Sequence, residues 1–557
     1  MEESTESECF LSRASRASTS VEASCFETPP LESSPAGANA FLFPGKRRQP
    51  SYENGDAAKK PALLGPSAPW LAAYHGWTHA DKVNALTALV DSCSLSEIRH
   101  LRDVIEPHFQ KDFIFALPKE LALIVLAQLG AKDLARAAGV SRYWRSLTED
   151  LLLWKEKCQE AGLSFQNFPD RQPGNSSCYQ RSMFKALYLR HSKVNSNWRR
   201  ESGQVSRKEL KGHEEHVITC LQIAGDIILS GSDDNTLRVW SASQGRCLKT
   251  LSGHTGGVWC SQITPDGQFA ISGSTDRTVR VWDLGLRDGG EGEGEVSGEC
   301  LHTLRGHTST VRCMALAGEQ LVSGSRDTSL KLWDIRSGRD LRTFSGHVAA
   351  VRCVQFDGRR VVSGAYDYTV KVWDAGTGAC THTLTGHTNR VYSLQMDSER
   401  GIVISGSLDT SIRVWELAGG TCLHQLMGHQ SLTSGMELRG RILVSGNADS
   451  TVKVWDVVDG QCLHTLSGHN RHTSAVTSLA YLANGLVVTS SDDGTVKLWD
   501  ARSGAFLRDV ETLRSKDSGG CVWRLKATPT ALVAAVGSRT GTEDTKLILL
   551  DFDAAYP

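Results

Sequence analysis

The stretch that decides the fold is Gly306–Asp334, GHTSTVRCMALAGEQLVSGSRDTSLKLWD, followed after a short connector by Gly346–Asp374, GHVAAVRCVQFDGRRVVSGAYDYTVKVWD. Each copy has a Gly-His, an alternating apolar run, a Ser-Gly-x-x-Asp turn and a closing Trp-Asp. A period of about forty residues with strand-type alternation means that one supersecondary unit is repeated, and such units are stable only when stacked on their neighbours.

The same unit extends in both directions. Gly-His pairs end at His213, His254, His307, His347, His387, His429 and His469, and closing tryptophans stand at Trp240, Trp282, Trp333, Trp373, Trp415, Trp455 and Trp499. This is the WD-repeat signature. After Trp499, three further strand-like runs (CVWRLKA, ALVAAVG and TKLILLDFD) make a degenerate eighth unit. A propeller blade needs four strands. The missing one is supplied most simply by Ser206–Leu210, so that the ring closes by pairing its two ends and leaves no free edge. The expectation is an all-β eight-bladed propeller over 206–557, with seven blades as the alternative. His, Ser or Thr, turn Asp and Trp recur in every unit, as cross-strand structural bonding requires; a catalytic pair would occur once.

Net charge is −1 and the pI is near 7, so no global field draws the chain to nucleic acid, and no apolar run approaches the length of a membrane span. The opening MEESTESECF lacks an apolar signal core, which argues against secretion. The fifteen cysteines are odd in number. Cys220, Cys260, Cys313 and Cys353 share one repeat position, and Cys247, Cys300, Cys380, Cys422 and Cys462 another, which reads as core filling in a reducing compartment. The Cys-x-His pairs lie in different units, so no four metal ligands converge, and no cofactor or metal is expected.

Residues 1–68 are rich in Ser, Glu, Ala, Gly and Pro and read as disordered. Lys46-Arg47-Arg48 with Lys59-Lys60 has the form of a two-part nuclear signal, giving an expectation of nucleus and cytoplasm. Over 69–106, Val83, Leu86, Leu89 and Val90, then Ile98, Leu101, Val104 and Ile105, fall at helical spacing, and Ser94 with Glu97 forms a capping box. Residues 107–158 carry Leu117-Pro118-x-Glu120-Leu121, Leu129, Asp133-Leu134, Arg142-x-Trp144 and Leu153-Trp154. This segment resembles an F-box. The resemblance implies docking on a Skp-type adaptor, and through it on a cullin–RING ubiquitin ligase, by Leu117, Pro118, Leu121, Leu129, Leu134 and Trp154. It also implies that 69–106 is a dimerisation element giving a homodimer. Residues 159–205 read as a linker, with a helix at Met183–Leu189 reaching toward Trp198.

Function in a repeat protein sits where the units stop agreeing. Five residues after the Gly-His histidine, the first six units read Ile218, Trp259, Arg312, Arg352, Tyr392 and Ser434. Just before the turn Asp, the seven units read Asp233, Thr275, Arg326, Tyr366, Leu408, Ala448 and Asp492, with Arg539 offered by the eighth unit. Equivalent positions lie on one face of a propeller, so arginines of neighbouring blades converge there. Converging guanidiniums repel and gain only when an anion neutralises them; phosphate is the natural partner. From about residue 70 onward the chain is similar to archipelago-type F-box/WD-repeat receptors. That resemblance implies that Arg312, Arg326 and Arg352 grip the phosphothreonine of a Thr-Pro-Pro-x-Ser/Glu degron, with Ser309, Thr310 and Tyr366 nearby and Arg277, Thr275, Trp259, Arg539 and Trp523 in the wider pocket. The chain would then be a non-catalytic substrate receptor of phosphorylated proteins; the rival is a non-degradative signalling scaffold. The Gly- and Glu-rich insertion Gly285–Gly298 is expected to be a surface loop. One motif is left over: Thr28-Pro29-Pro30-Leu31-Glu32 has the form that the pocket itself would bind.

Overall fold

The computed structural model describes residues 67–109, 112–163, 182–201, 205–214, 216–285, 299–513, 520–538 and 544–553. Its residues divide into two compact units, with the boundary between Thr148 and Glu149. Each is taken by itself.

The smaller unit is helical. Helices Ser67–Gly76, His79–Ser92 and Leu95–Phe109 come first. The capping box is present: Ser94 donates both its backbone N–H and its hydroxyl to the Glu97 carboxylate, each at 2.7 Å. Apolar side chains along these helices stay exposed, among them Val83, Leu86, Leu89, Ile98 and Val104. The short helices Phe113–Ala116, Lys119–Ala127, Ala131–Ala137 and Arg142–Thr148 follow. Asp112 caps the first of them through Phe115 N–H (3.0 Å) and also accepts from Trp144 Nε1 (2.9 Å), tying the start of the segment to its end. Ile114, Ala122, Leu126, Leu134 and Ala137 are buried.

The larger unit is a closed ring of eight four-stranded antiparallel sheets. Seven sheets use four consecutive strands. The eighth pairs Ser206–Lys211 with Lys546–Asp551, in register from Ser206 opposite Asp551 to Lys211 opposite Lys546. The eight-blade expectation and the end-to-end closure therefore hold. The reason is visible in the last unit, which has three strands of its own and an edge that only the N-terminal strand can satisfy.

Each blade is held by a repeated polar bolt. In the fourth, Trp373 Nε1–H donates to Ser363 Oγ (2.9 Å), and the hydroxyl in turn meets His347 Nε2 (2.8 Å). The Asp367 carboxylate only accepts, so His347 Nδ1–H donates to it at 2.7 Å, and in that tautomer Nε2 accepts the Ser363 hydroxyl hydrogen. Asp367 also accepts from the backbone and hydroxyl of Thr369. Seven blades carry this bolt. In the seventh the histidine is His472, bonded to Asp493 (3.1 Å) and Thr489 (2.8 Å), and not the His469 that the Gly-His pair suggests. Three extra residues displace the bolt from the pair, and His469 lies exposed.

Close packing explains the Ser-Gly of the first six units. A Cβ on Gly324 would sit 2.7 Å from Cys313 Sγ and 2.9 Å from Val351 Cγ1 of the next blade, so only hydrogen fits there. Cys220, Cys260, Cys313 and Cys353 thus pack at the inner strands. The second cysteine set corrects its reading: Cys380, Cys422 and Cys462 are exposed, because the outermost strand of a blade faces solvent. His424 and His464 beside them clasp neighbouring blades, donating Nε2–H to Val458 O and Arg502 O, each at 2.9 Å.

The helix Met183–Arg199 belongs to this unit and is welded to it. Trp198 is fully buried, stacks on Phe552 at 3.6 Å between centroids and donates Nε1–H to Pro529 O (2.8 Å). Arg190 forms a buried pair with Asp553 (Nε to Oδ2 2.9 Å), and Arg508 donates to Trp198 O (2.8 Å). The helix Leu151–Glu160 joins through Trp154, which meets Tyr188 at 5.6 Å.

Candidate functional site

A β-bulge near the start of the innermost strand occurs in all eight blades and re-aims one side chain per blade. The bulged residues are Thr219, Trp259, Arg312, Arg352, Tyr392, Ser434, Thr477 and Trp523. The first unit is corrected here. Its Gly-His loop is one residue longer, so Thr219 takes the ring position and Ile218 is buried.

A second ring lies beside the first. Val311 pairs with Ser325, so Arg312 and Arg326 flank that pair at one end of the sheet; Arg352 and Tyr366 flank Val351–Ala365 in the same way. The backbone repeats too: Arg326 N–H donates to Thr310 O (2.9 Å) and Tyr366 N–H to Ala350 O (2.9 Å). In the eighth blade this position is Gly537, against which the Trp523 ring lies, with no room for a Cβ. The expectation placed Arg539 there; Arg539 itself lies outside the described residues.

Aromatic rings interleave with the cations. Arg312 Cζ is 4.1 Å from the Trp259 ring centroid, Arg352 Cζ is 5.7 Å from that of Tyr392, and Tyr366 meets Tyr392 at 5.3 Å. Arg390 Cζ stands 4.8 Å from the Tyr366 ring centroid. Across from these, Arg524 donates Nε–H to Thr219 O (2.8 Å). Desolvation, and then the like charge of Arg352, lower the Arg524 pKa.

Arg277 follows the turn Asp276 at φ +70°, and both line a cleft of about 450 Å³ with Arg305, Thr255, Thr275 and Gly256 between the second and third blades. Neither Arg277 nor Arg305 has an acidic partner among the described residues. Ser309 and Thr310 lie beside the trio, but Thr310 is buried and works through its carbonyl, and Ser309 O accepts from Ser325 Oγ (3.1 Å). Arg305, Arg390 and Arg524 were missed in the sequence. Arg524 could have been found, because it replaces the cysteine of the first four units at one repeat position; Arg390 likewise stands where the third and fourth units have Thr310 and Ala350.

In the helical unit, Pro118 and Leu121 are exposed, with Phe113, Phe115, Ile124 and Val140 beside them in sequence, and Leu117 and Leu129 are half-buried. Leu134 and Trp154 are corrected from surface to core: both have no exposed area, Leu134 inside the helical unit and Trp154 against Tyr188.

A ring-closed eight-bladed propeller with an arginine-lined face, joined in one chain to an apolar-faced helical segment, defines a receptor-type WD-repeat protein with an N-terminal helical module. Residues 204–241, 245–283, 298–334, 338–374, 378–416, 420–456 and 460–500 match the WD domain, G-beta repeat family, and 114–160 match the F-box-like family. The chain is 50% identical over 525 residues to F-box/WD repeat-containing protein sel-10 of Caenorhabditis elegans, covering 87% of this chain and 86% of that protein. It is 58% identical over 198 residues to F-box/WD repeat-containing protein 7 of Drosophila melanogaster, a match spanning 35% of this chain and 15% of that one. The crystal structure of the computationally designed Ika8 protein aligns with a TM-score of 0.53 at 34% identity, over 61% of this chain and 99% of that one. The chain belongs to the F-box/WD repeat-containing protein family.

Proposed function

We propose that this protein is the substrate-recognition subunit of an SCF-type ubiquitin ligase and that its arginine ring binds phosphorylated Thr-Pro-Pro-x-Ser/Glu degrons. The observation that carries this reading is the convergence of Arg312, Arg326 and Arg352 among aromatic rings at one end of the propeller. Guanidiniums gathered on one face repel one another. A fold does not need that repulsion, and a phosphothreonine dianion converts it into attraction. Each charge-assisted bond then contributes about 1.5–3 kcal/mol. Trp259, Tyr366, Tyr392 and Trp523 offer flat apolar faces to the prolines that follow the phosphate. The Arg277–Arg305 cleft suits a second acidic group.

The exposed apolar side chains of the 113–140 segment support docking of a Skp-type adaptor, with a cullin–RING enzyme supplying the catalysis. The exposed apolar side chains of 69–106 are consistent with a homodimer, and the basic clusters at 46–48 and 59–60 with entry to the nucleus as well as the cytoplasm. The test is binding of a Leu-Leu-phosphoThr-Pro-Pro-x-Glu peptide to the full chain, with its unphosphorylated twin and Arg312→Ala, Arg326→Ala and Arg352→Ala variants. Phosphate-dependent binding lost in each variant is the expected result. Binding that ignores the phosphate would sink the reading, and failure to pull down a Skp-type adaptor would favour the scaffold alternative.

A further inference from the structure

Resting on that reading, we infer that Arg524 and Arg352 clamp one tetrahedral oxyanion between opposite walls of the channel mouth, which makes Arg524 a further phosphate-binding arginine. The innermost strands of the eight blades touch one another in order around the ring, and Val351–Phe356 stands four places from Cys521–Ala527, so these two strands face each other across the channel. Arg352 occupies the bulge position of its strand. Arg524 follows the bulged Trp523 and donates Nε–H to Thr219 O (2.8 Å), and Thr219 holds the bulge position of the first blade. The Arg524 head is therefore anchored at the level of the ring on which Arg352 stands. A longer bond from Nη1 to Trp523 O (3.4 Å) leaves its Nη2 edge unbonded among the described residues. Neither arginine pairs with a carboxylate among the described residues, and the Arg352 head lies 5.7 Å from the Tyr392 ring centroid. The Thr28–Glu32 motif lies outside the described residues; Arg352 and Arg524 lie within them.

Nothing in the fold calls for an arginine at this place. The same repeat position is cysteine in the first four blades and serine or glycine in the next three, all small and none charged. Desolvation and then the like charge of Arg352 disfavour the Arg524 cation, so the two heads repel across the gap. A dianion between them reverses the sign. A tetrahedral phosphate directs acceptor oxygens to opposite sides and so bonds guanidiniums from facing walls, whereas a carboxylate directs both of its oxygens to one side. The anion is the phosphoryl group of a bound partner or free inorganic phosphate, which share this chemistry. Either way it sits inside the channel mouth and not on the outer rim of the blades.

The experiment uses the full chain, with inorganic phosphate and the phosphopeptide above as probes. Thermal melting is followed in sodium phosphate and in sodium chloride of equal ionic strength. The wild type is expected to show a saturable rise in melting temperature in phosphate. Arg352→Met and Arg524→Met are each expected to lose most of that rise, and the double variant no more than either, because the two groups share one anion. Taking the rise within each variant removes any loss of stability caused by the substitution itself. The phosphopeptide is expected to bind Arg524→Met about ten- to a hundredfold more weakly than the wild type, with partial recovery in Arg524→Lys and no change for the unphosphorylated twin. Unchanged phosphopeptide affinity in Arg524→Met, with no phosphate rise that depends on Arg524, overturns the inference. Equal losses for the phosphorylated and unphosphorylated peptides, or additive losses in the double variant, overturn it too. If the rise needs Arg524 but phosphopeptide affinity does not, the clamp takes the free anion. If phosphopeptide affinity needs Arg524, the clamp takes the partner's phosphoryl group. Failure of the receptor reading is seen separately, as a wild type that binds both peptides alike.

Discussion

The Arg312 guanidinium carbon stands 4.1 Å from the centroid of the Trp259 ring, and the two residues come from adjacent blades. Both sit on the β-bulge of their innermost strand, so the same backbone irregularity that aims one aims the other.

That contact orients a cation before any ligand arrives. A cation–π pair contributes about 0.5–2 kcal/mol, depending on desolvation. Trp259→Ala is therefore expected to weaken phosphopeptide binding by roughly threefold to thirtyfold, and Trp259→Phe by less. Arg326→Ala removes a charge-assisted bond and is expected to lose roughly ten- to a hundredfold. Titration calorimetry on the full chain checks both, with thermal melting to show that each variant is folded.

His472 and His469 separate the polar bolt from its sequence signature. His472 is buried between Asp493 and Thr489, whereas His469 is exposed. Replacing His472 by Ala leaves two buried polar partners short and is expected to cost about 2–4 kcal/mol in a urea or thermal unfolding experiment. His469→Ala is expected to stay within about 0.5 kcal/mol of the parent. Equal effects would overturn the assignment.

Trp198 ties the linker helix to the last blade by stacking on Phe552 and bonding to Pro529. Trp198→Ala creates a cavity and orphans a carbonyl, and is expected to destabilise the propeller by about 3–5 kcal/mol. Phosphopeptide affinity at a temperature where the variant stays folded should be unchanged, since the helix lies against the seventh and eighth blades and contributes nothing to the arginine trio.

The bolts also set the acid limit. At Asp449 burial alone would raise the carboxyl, but hydrogen bonds from His429 and Thr451 outweigh it and hold the pKa at about 2. Asp276, Asp327, Asp367, Asp409 and Asp493 are likewise held well below the usual range. A folded pKa below the unfolded value of about 3.9 gives stability that is complete above that value and is lost as pH falls through the folded one. The contribution of Asp449 is about 2 kcal/mol at neutral pH, so Asp449→Asn should lose about that much at pH 7 and much less near pH 2. Urea denaturation across pH 2–7 reads the difference; a pH-independent loss would contradict it.

The period, the blade number and the closing strand were legible in the chain because each repeat carries its own turn and its own bolt residues at a period of about forty. So were Arg312, Arg326 and Arg352, which break the pattern at fixed offsets. Offsets fail wherever loop length changes. One extra residue moved the ring position from Ile218 to Thr219, three moved the bolt from His469 to His472, and the last blade put Gly537 where Arg539 was expected. Arg305 was not legible at all, because its partnership with Arg277 arises from the cleft between two blades.

Local sequence, then, determined what each blade is: short-range alternation, turn chemistry and the polar bolt are all satisfied within about forty residues. Only the tertiary structure decided which side chains meet. Ring closure brings residues far apart in the chain into one face, as with Arg524 donating to Thr219 and Arg312 over Trp259, and the bulges choose which of them point there. Burial was decided in the same way. Leu134 and Trp154 share the apolar pattern of Leu121, yet they are core, because helix spacing marks an apolar face without saying what covers it.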